Sequence, residues 1–165
     1  MRPVRKNNGG ERGSTILEFA LGWTVLWLLF SGVFTFGYAF YVYNILQTAV
    51  SNAAALATRM PYDSSNISNF ATQVSKAAIY SDINGTTPVL NGLNWSACTQ
   101  SSNVWTCGNA KVTIGYVTGS DGSTQVPTDV TVAISGYTAN VVFRSFSFNG
   151  KPRATTAYLG LPTGY

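Results

Sequence analysis

The side chains that could carry chemistry are few in this chain of 165 residues. There is no histidine, and beyond the N-terminal region the only carboxylates are Asp63, Asp82, Asp121 and Asp129. Each lies in a stretch typical of a turn or strand end, where an aspartate commonly accepts hydrogen bonds from nearby backbone amides. The sequence contains no serine–histidine arrangement and no phosphate-binding glycine loop. We therefore expect a protein that is not an enzyme, with no cofactor and no metal ion.

Two cysteines, Cys98 and Cys107, are the next candidates for chemistry. A zinc site needs four ligands, and this pair has neither a histidine nor a second cysteine pair to complete one. In an oxidising compartment the pair predicts a disulfide that closes a short loop, whereas in the cytosol two free thiols would remain. Trp95 and Trp105 flank this loop, and we expect them in the core of a small domain rather than on an exposed ligand surface.

The charge of the chain is concentrated at its N-terminus. Residues 14–165 hold six basic and five acidic side chains, so most of the net charge of +4 comes from the first thirteen residues. Charged residues make up 10% of the chain. Soluble domains typically contain roughly 25%, so this composition favours an extracytoplasmic domain rich in β structure. No basic surface for nucleic acid is indicated. The leading basic residues are Arg2, Arg5, Lys6 and Arg12.

A long apolar segment follows this basic leader. No charged residue occurs from Phe19 to Thr58, and crossing the hydrocarbon core of a bilayer takes about 20 apolar residues. We predict a transmembrane helix over about residues 19–43, with its N-terminus in the cytoplasm because the basic residues precede it. A cleaved secretory signal and a simple signal anchor are the alternatives. Three tyrosines at the far end would form an interfacial belt, namely Tyr38, Tyr41 and Tyr43.

The helical pattern continues beyond the predicted membrane segment. Good helix formers and regularly spaced apolar residues extend to Arg59, and Pro61 then ends the helix. We therefore predict an N-terminal helix over residues 14–60 and a head domain over residues 61–165. The outer part of such a helix must bury its apolar stripe against a partner.

Glu18 is out of place at the margin of a membrane segment, where a carboxylate costs a few kcal/mol unless it is paired or lies near the headgroups. One explanation is local, because Thr15 and Glu18 have the spacing of a capping box that begins a helix. Capping does not explain Gly13, which lies directly before Ser14 where the basic leader ends.

The string RGSTILEFALG resembles a type IV prepilin processing site, in which a basic leader and a glycine precede a hydrophobic helix with glutamate fifth. By this resemblance, cleavage between Gly13 and Ser14 would remove residues 1–13 as a leader peptide. Glu18 would then be the fifth residue of the mature chain. Cleavage after Gly9 or Gly10 would not place a glutamate there.

The longer segment resembles the N-terminus of TadE-like pilins, within the type IV (Tad/Flp) pilin superfamily. Major Flp pilins are shorter and commonly have Glu-Tyr, so the Glu-Phe pair and the chain length favour the minor class; a shaft role is the alternative. Ser14 differs from the phenylalanine that opens typical type IVa pilins, which leaves N-methylation open. The matching residues are Glu18, Phe19, Phe36, Gly37, Gln47, Ala49, Ala53, Ala54 and Arg59.

This resemblance implies a structural function. The precursor would lie in the bacterial inner membrane, be cut by a prepilin peptidase, and pass through an inner-membrane assembly platform into a Tad-type pilus with other pilin subunits. Glu18 and Phe19 would act in assembly, with Glu18 paired to the new amino group of Ser14. The rival interpretation is an uncleaved, signal-anchored domain that binds a ligand from the periplasm.

The remaining sequence predicts an α+β head. Residues 66–82 have the periodicity of an amphipathic helix with Ser64, Ser65 or Asn66 as its N-cap. Residues 111–117 and 129–135 alternate as half-buried strands, and Asn149-Gly150 is typical of a β-hairpin turn between two further strands. We expect one helix across a small antiparallel sheet.

Overall fold

The computed structural model describes residues 9–62, 66–108, 110–120, 125–141 and 144–159. The described residues fall into two units, which divide between Tyr38 and Ala39. The elements are helices α1 (Gly9–Ala57) and α2 (Ile67–Tyr80) and strands β1 (Cys98–Ser101), β2 (Val104–Cys107), β3 (Ala110–Ser120), β4 (Gln125–Ser135), β5 (Tyr137–Val141), β6 (Arg144–Phe148) and β7 (Arg153–Ala157). The predicted α+β class is therefore confirmed: a long N-terminal apolar helix precedes a head with one helix and antiparallel β structure.

Helix α1 differs at both ends from the predicted bounds of 14–60. It begins at Gly9 and ends at Ala57. Thr15 and Glu18 therefore lie inside a continuous helix, so a capping box at Thr15 does not begin the helix in the uncleaved chain. Glycine lowers helix propensity by only about 1 kcal/mol per residue, and no proline lies between Gly9 and Ala57 to interrupt the hydrogen-bond ladder.

The second unit begins at Ala39, so the C-terminal part of α1 belongs to the head. The apolar stripe predicted for this part of the helix is buried, and Leu46 and Val50 are completely inaccessible to solvent. Spacings of three and four residues place these side chains on one face, which packs into the same core as α2 and the sheet. The buried residues of this face are Val42, Leu46, Ala49, Val50, Ala53, Ala54 and Ala57.

A five-stranded antiparallel sheet, in the order β1-β2-β3-β4-β7, forms the main layer of the head. The two predicted strands lie within β3 and β4, and the register Val112↔Ile134 and Ile114↔Val132 places their apolar residues on the buried face. The opposite face carries pairs such as Thr113↔Ala133. Both strands extend into the predicted loop over residues 119–128, of which 121–124 lie outside the described residues.

Helix α2 covers the buried face of the sheet. Phe70, Ala71, Val74, Ala77 and Ala78 are buried, as the periodicity predicts. Asn66 occupies the N-cap position without a side-chain cap hydrogen bond, while Ser64 and Ser65 lie outside the described residues.

The hairpin predicted at Asn149-Gly150 is wrong. Strand β6 before this turn pairs with β5 in a separate two-stranded ladder, whereas β7 after it pairs with β4. The chain therefore crosses from one sheet to the other at Gly150, which has a φ of 74°. The local turn is present, but β7 pairs along its whole length with β4. There the hydroxyl group of Thr156 also donates to the carbonyl oxygen of Ala54 on α1 (3.1 Å).

The cysteine loop is a β-hairpin. Cys98 and Cys107 are directly opposite in the register of β1 and β2, with Cα atoms 4.1 Å apart, and form a disulfide. The predicted pairing is thus present, but the two short strands that carry it were not predicted. Trp105 is fully buried, whereas Trp95 is half-buried beneath the ammonium group of Lys76, which lies 5.6 Å from its ring centroid.

Candidate processing and assembly segment

The residues predicted to be processed lie on an exposed part of α1. Gly13, Ser14 and Glu18 are all exposed, and a Cβ atom added at Gly13 would meet nothing within 4 Å. The peptide bond between Gly13 and Ser14 is part of the continuous helix. A protease would reach the side chains of this segment directly but would have to open the local helical turn to reach the bond.

Glu18 follows Ser14 by four residues, which places both on one helical face a single turn apart. Cleavage at Gly13 would convert the backbone nitrogen of Ser14 into an amino group within one turn of this carboxylate. Among the residues whose side chains are described, Glu18 has no ion-pair partner. Its surroundings on the helix are apolar, with Phe19 as much as 72% exposed.

The exposed apolar surface extends far beyond Glu18. This helix is apolar and long enough to cross a membrane, and its most apolar stretch is not buried by the rest of the protein. The rings of Phe19 and Trp23 stack with centroids 6.4 Å apart. We call the following exposed set the apolar segment: Ile16, Leu17, Phe19, Leu21, Trp23, Val25, Leu26, Trp27, Leu28, Leu29, Phe30, Val33, Phe34, Phe36, Tyr38, Phe40 and Tyr41.

Two threonine hydroxyl groups among the residues of the apolar segment bond to the helix itself. Thr24 donates to the carbonyl oxygen of Ala20 at 2.8 Å, and Thr35 donates to that of Ser31 at 2.7 Å. Each bond spans four residues, so neither hydroxyl group needs water or a partner chain. The segment can therefore enter lipid or a bundle of helices without leaving these donors unpaired.

Burial on α1 begins abruptly where the second unit starts. Tyr41 is 60% exposed, whereas the next residue, Val42, is 1% exposed. The end of the predicted transmembrane segment at residue 43 coincides with this change. The helix is thus compatible with a membrane anchor up to this point and is part of the folded head beyond it.

Aromatic residues fix the end of α1 to the last strand. The Tyr158 hydroxyl group donates to the carbonyl oxygen of Met60 at 2.7 Å, and the Tyr62 ring lies edge-on to Phe70, Tyr116 and Tyr158 at centroid distances of 5.6–6.3 Å. Burial raises the pKa of both Tyr62 and Tyr158 above the ordinary tyrosine value, and neighbouring Tyr116 adds to the increase at Tyr62. The members of this cluster are far apart in the chain, so no local sequence pattern indicates it.

The described residues do not gather three potential metal ligands at any point. Their aspartates are placed as turn and strand residues: the Asp82 carboxylate accepts from the backbone amide of Asn84 at 3.2 Å, and Asp129 lies in β4. Asp63 and Asp121 lie outside the described residues.

A long exposed apolar helix followed by a compact α+β head is compatible with a protein held in a membrane by one helix. Residues 13–55 match the family model described as TadE-like protein. The resemblance to TadE-like pilins is therefore confirmed over this segment, consistent with a pilin-related protein of a Tad pilus system, while residues 61–165 lie outside the match. No curated protein and no solved structure matches the chain.

Proposed function

We propose that this protein is a structural pilin or minor pseudopilin of a Tad-type pilus. It is inserted in the inner membrane as a precursor, cut after Gly13 by a prepilin peptidase, and passed by the assembly platform into a filament with other pilin subunits. The observation that carries the proposal is the exposed apolar segment, which follows the matched Gly13 and ends at Tyr41, directly before the buried Val42.

The exposed apolar segment needs an apolar environment. Burying one large apolar side chain contributes about 1.5–3 kcal/mol, so leaving the whole segment in water would cost on the order of tens of kcal/mol. Lipid supplies that environment for the precursor. Neighbouring pilin helices supply it in a filament. Because the side chains have already left water in the membrane, they gain packing contacts there and no further hydrophobic stabilisation.

Apolar contacts between helices do not fix how far one helix is shifted along another, and Glu18 would fix this axial register. The amino group created at Ser14 has an ordinary pKa near 8 and is largely protonated at neutral pH. In a helix bundle this ammonium group and the Glu18 carboxylate would leave water together, and each would cost several kcal/mol if it remained unpaired. Pairing within one subunit or between neighbours offsets this cost and fixes the axial register.

Replacement of Gly13 tests the proposed processing. Gly13→Val should leave the precursor uncut in the membrane, because a branched side chain beside the bond obstructs the peptidase. Gly22→Val is the matched control, since Gly22 also lies on the exposed helix with nothing within 4 Å of an added Cβ atom. The intact mass of membrane-extracted protein distinguishes the forms. Normal processing of Gly13→Val, or equal loss of processing in both variants, would contradict the proposal.

The continuity of α1 across Gly13 and Ser14 favours a second candidate function. An uncleaved helix of this kind would serve as a signal anchor for a periplasmic binding domain. In that case the leader would remain on every copy in the cell, and Met1 would be present in the mature protein.

A further inference from the structure

Within the head, the first turns of α1 contact strand β6. The rings of Phe148 and Tyr43 have centroids 6.1 Å apart. Tyr43 is four residues after Ala39, the first residue of the head, and therefore about 6 Å along the helix axis. Phe148 and the turn after it thus lie beside the first helical turns of the head.

Strand pairing gathers three exposed basic residues around this turn. The backbone amide of Gly136 donates to the carbonyl oxygen of Phe148 at 2.7 Å, which places Ser135 next to the turn. Lys111 is directly opposite Ser135 in β3, Arg153 is opposite Ala133 in β7, and Lys151 lies between Phe148 and Arg153. We call Lys111, Lys151 and Arg153 the basic end of the head.

The charges of the basic end are not compensated by ion pairs among the described residues. Within the part of the chain that the structure describes, none of its three side chains forms an ion pair. Asp129 is the carboxylate on β4, and it lies six residues from Ser135, about 20 Å along the strand. Cations gathered at one end of the head repel one another, and an anionic partner would remove that repulsion.

A cleft adjoins the basic end on the outer face of the sheet. It has a volume of about 460 Å³, and Arg153 is its only charged lining residue. Small residues leave room for a ligand, namely Gly115, Ala133, Ser135 and Gly150. The polar lining of the cleft includes Ser135 and Arg153, whereas the hydroxyl group of Thr131 is already bonded to that of Thr155 across 2.9 Å.

We propose that the basic end binds the phosphate groups of anionic phospholipids at the outer surface of the membrane that α1 crosses. Lys111 and Arg153 face the same side of the sheet, and a phosphate group fits between such cations because it accepts several charge-assisted hydrogen bonds. This contact holds the head of the precursor on the bilayer until the subunit is extracted. The inference rests on membrane anchoring by α1, part of the proposed function, and not on cleavage at Gly13.

Amine acylation of the full-length chain in lipid nanodiscs tests this contact. Discs contain phosphatidylcholine alone or phosphatidylcholine with phosphatidylglycerol, and mass spectrometry follows the reaction of each lysine. Each lysine is compared with its own rate in neutral discs, and Lys76, which lies over Trp95 on α2, is followed as a lysine outside the basic end. Anionic lipid should slow acylation of Lys111 and Lys151 roughly threefold or more, and that of Lys76 by less. The slowing should disappear near 1 M salt, where the Debye length is about 3 Å.

Two variants sharpen the result. Arg153→Gln should reduce the protection of both lysines, whereas Arg59→Gln, which removes an exposed cation beyond the opposite end of the head helix, should not. Equal relative rates in the two kinds of disc would overturn the inference, as would equal protection in neutral discs, which would indicate contact between protein copies. A chain that fails to enter discs would overturn membrane anchoring itself, and the inference with it.

Discussion

At the scale of single residues, substitutions of Glu18 distinguish two roles for this side chain, helix capping and pairing with the amino group of Ser14. Glutamine supports a capping box as glutamate does, but it carries no charge. We therefore predict that Glu18→Gln and Glu18→Ala are both inserted and cleaved, and that both fail to co-purify with partner pilin subunits. Quantitative co-purification from membranes measures this. If Glu18→Gln assembles normally and Glu18→Ala does not, capping suffices; if both assemble at the wild-type level, the register role is wrong.

Tyr158 follows the last strand and bonds to Met60 just after α1, in addition to the bond between Thr156 and Ala54. Tyr158→Phe removes the hydrogen bond to Met60 and should lower the free energy of unfolding of the head by about 1 kcal/mol. Leu159→Ala is the neighbouring control and should have little effect, because Leu159 is 82% exposed. Denaturant unfolding of the full chain in detergent measures both. Identical midpoints for Tyr158→Phe and wild type would show that the bond contributes nothing.

Tyr158 and its neighbour Tyr62 predict how the stability of the head depends on alkaline pH. Because burial raises the folded-state pKa of Tyr62 and Tyr158, these groups contribute stability that is fully present below the unfolded value of about 10. That contribution is lost as the pH rises through the folded-state pKa values. The wild-type head should therefore weaken above about pH 10, and Tyr158→Phe should weaken less steeply.

At the scale of elements, α1 has two parts with different energetic roles. Leu46 is fully buried in the head, so Leu46→Ala should lower its free energy of unfolding by about 2–5 kcal/mol. Leu28 is 66% exposed, so the matched Leu28→Ala should leave the stability of the head unchanged. Near-ultraviolet circular dichroism during denaturant titration of the detergent-solubilised protein measures the difference. Comparable losses in both variants would contradict this division.

The β1–β2 hairpin should depend on its disulfide. Closing a loop of about ten residues stabilises a domain by roughly 2–3 kcal/mol, so Cys98→Ser with Cys107→Ser should lower the unfolding midpoint by a corresponding amount. The native, unreduced protein should resist thiol labelling, because both sulfur atoms are in the bond. Quantitative labelling of both cysteines without reduction would disprove the pairing in the isolated protein.

Elements with a clear apolar period were predictable, and those that depend on remote partners were not. The buried faces of α2, β3 and β4 follow directly from periods of 3.6 and 2 in the sequence. Strands β1 and β2 have four residues each, too few for alternation to be visible. The turn at Asn149-Gly150 does not join a hairpin because β7 pairs with β4. That pairing depends on a strand far away in the sequence, so the turn residues alone do not predict it.

At the scale of the whole molecule, the two units are suited to different surroundings, one to water and the other to an apolar environment. The head, which begins at Ala39, buries a conventional core in water. The apolar segment buries nothing by itself, and its local hydrogen bonds already suit lipid or a helix bundle. The family match covers residues 13–55 and none of residues 61–165, so the sequence resembles known proteins over the helix but offers no such guide to the topology of the head.

The N-terminus of the assembled protein tests the central claim most directly. Filaments sheared from the cell surface are purified, and the subunit is analysed by N-terminal sequencing and intact mass spectrometry. We predict that every assembled copy begins at Ser14, with residues 1–13 absent and the whole apolar segment retained. A subunit that begins at Met1, or one that begins beyond Tyr38 and so lacks the apolar segment, would contradict the account.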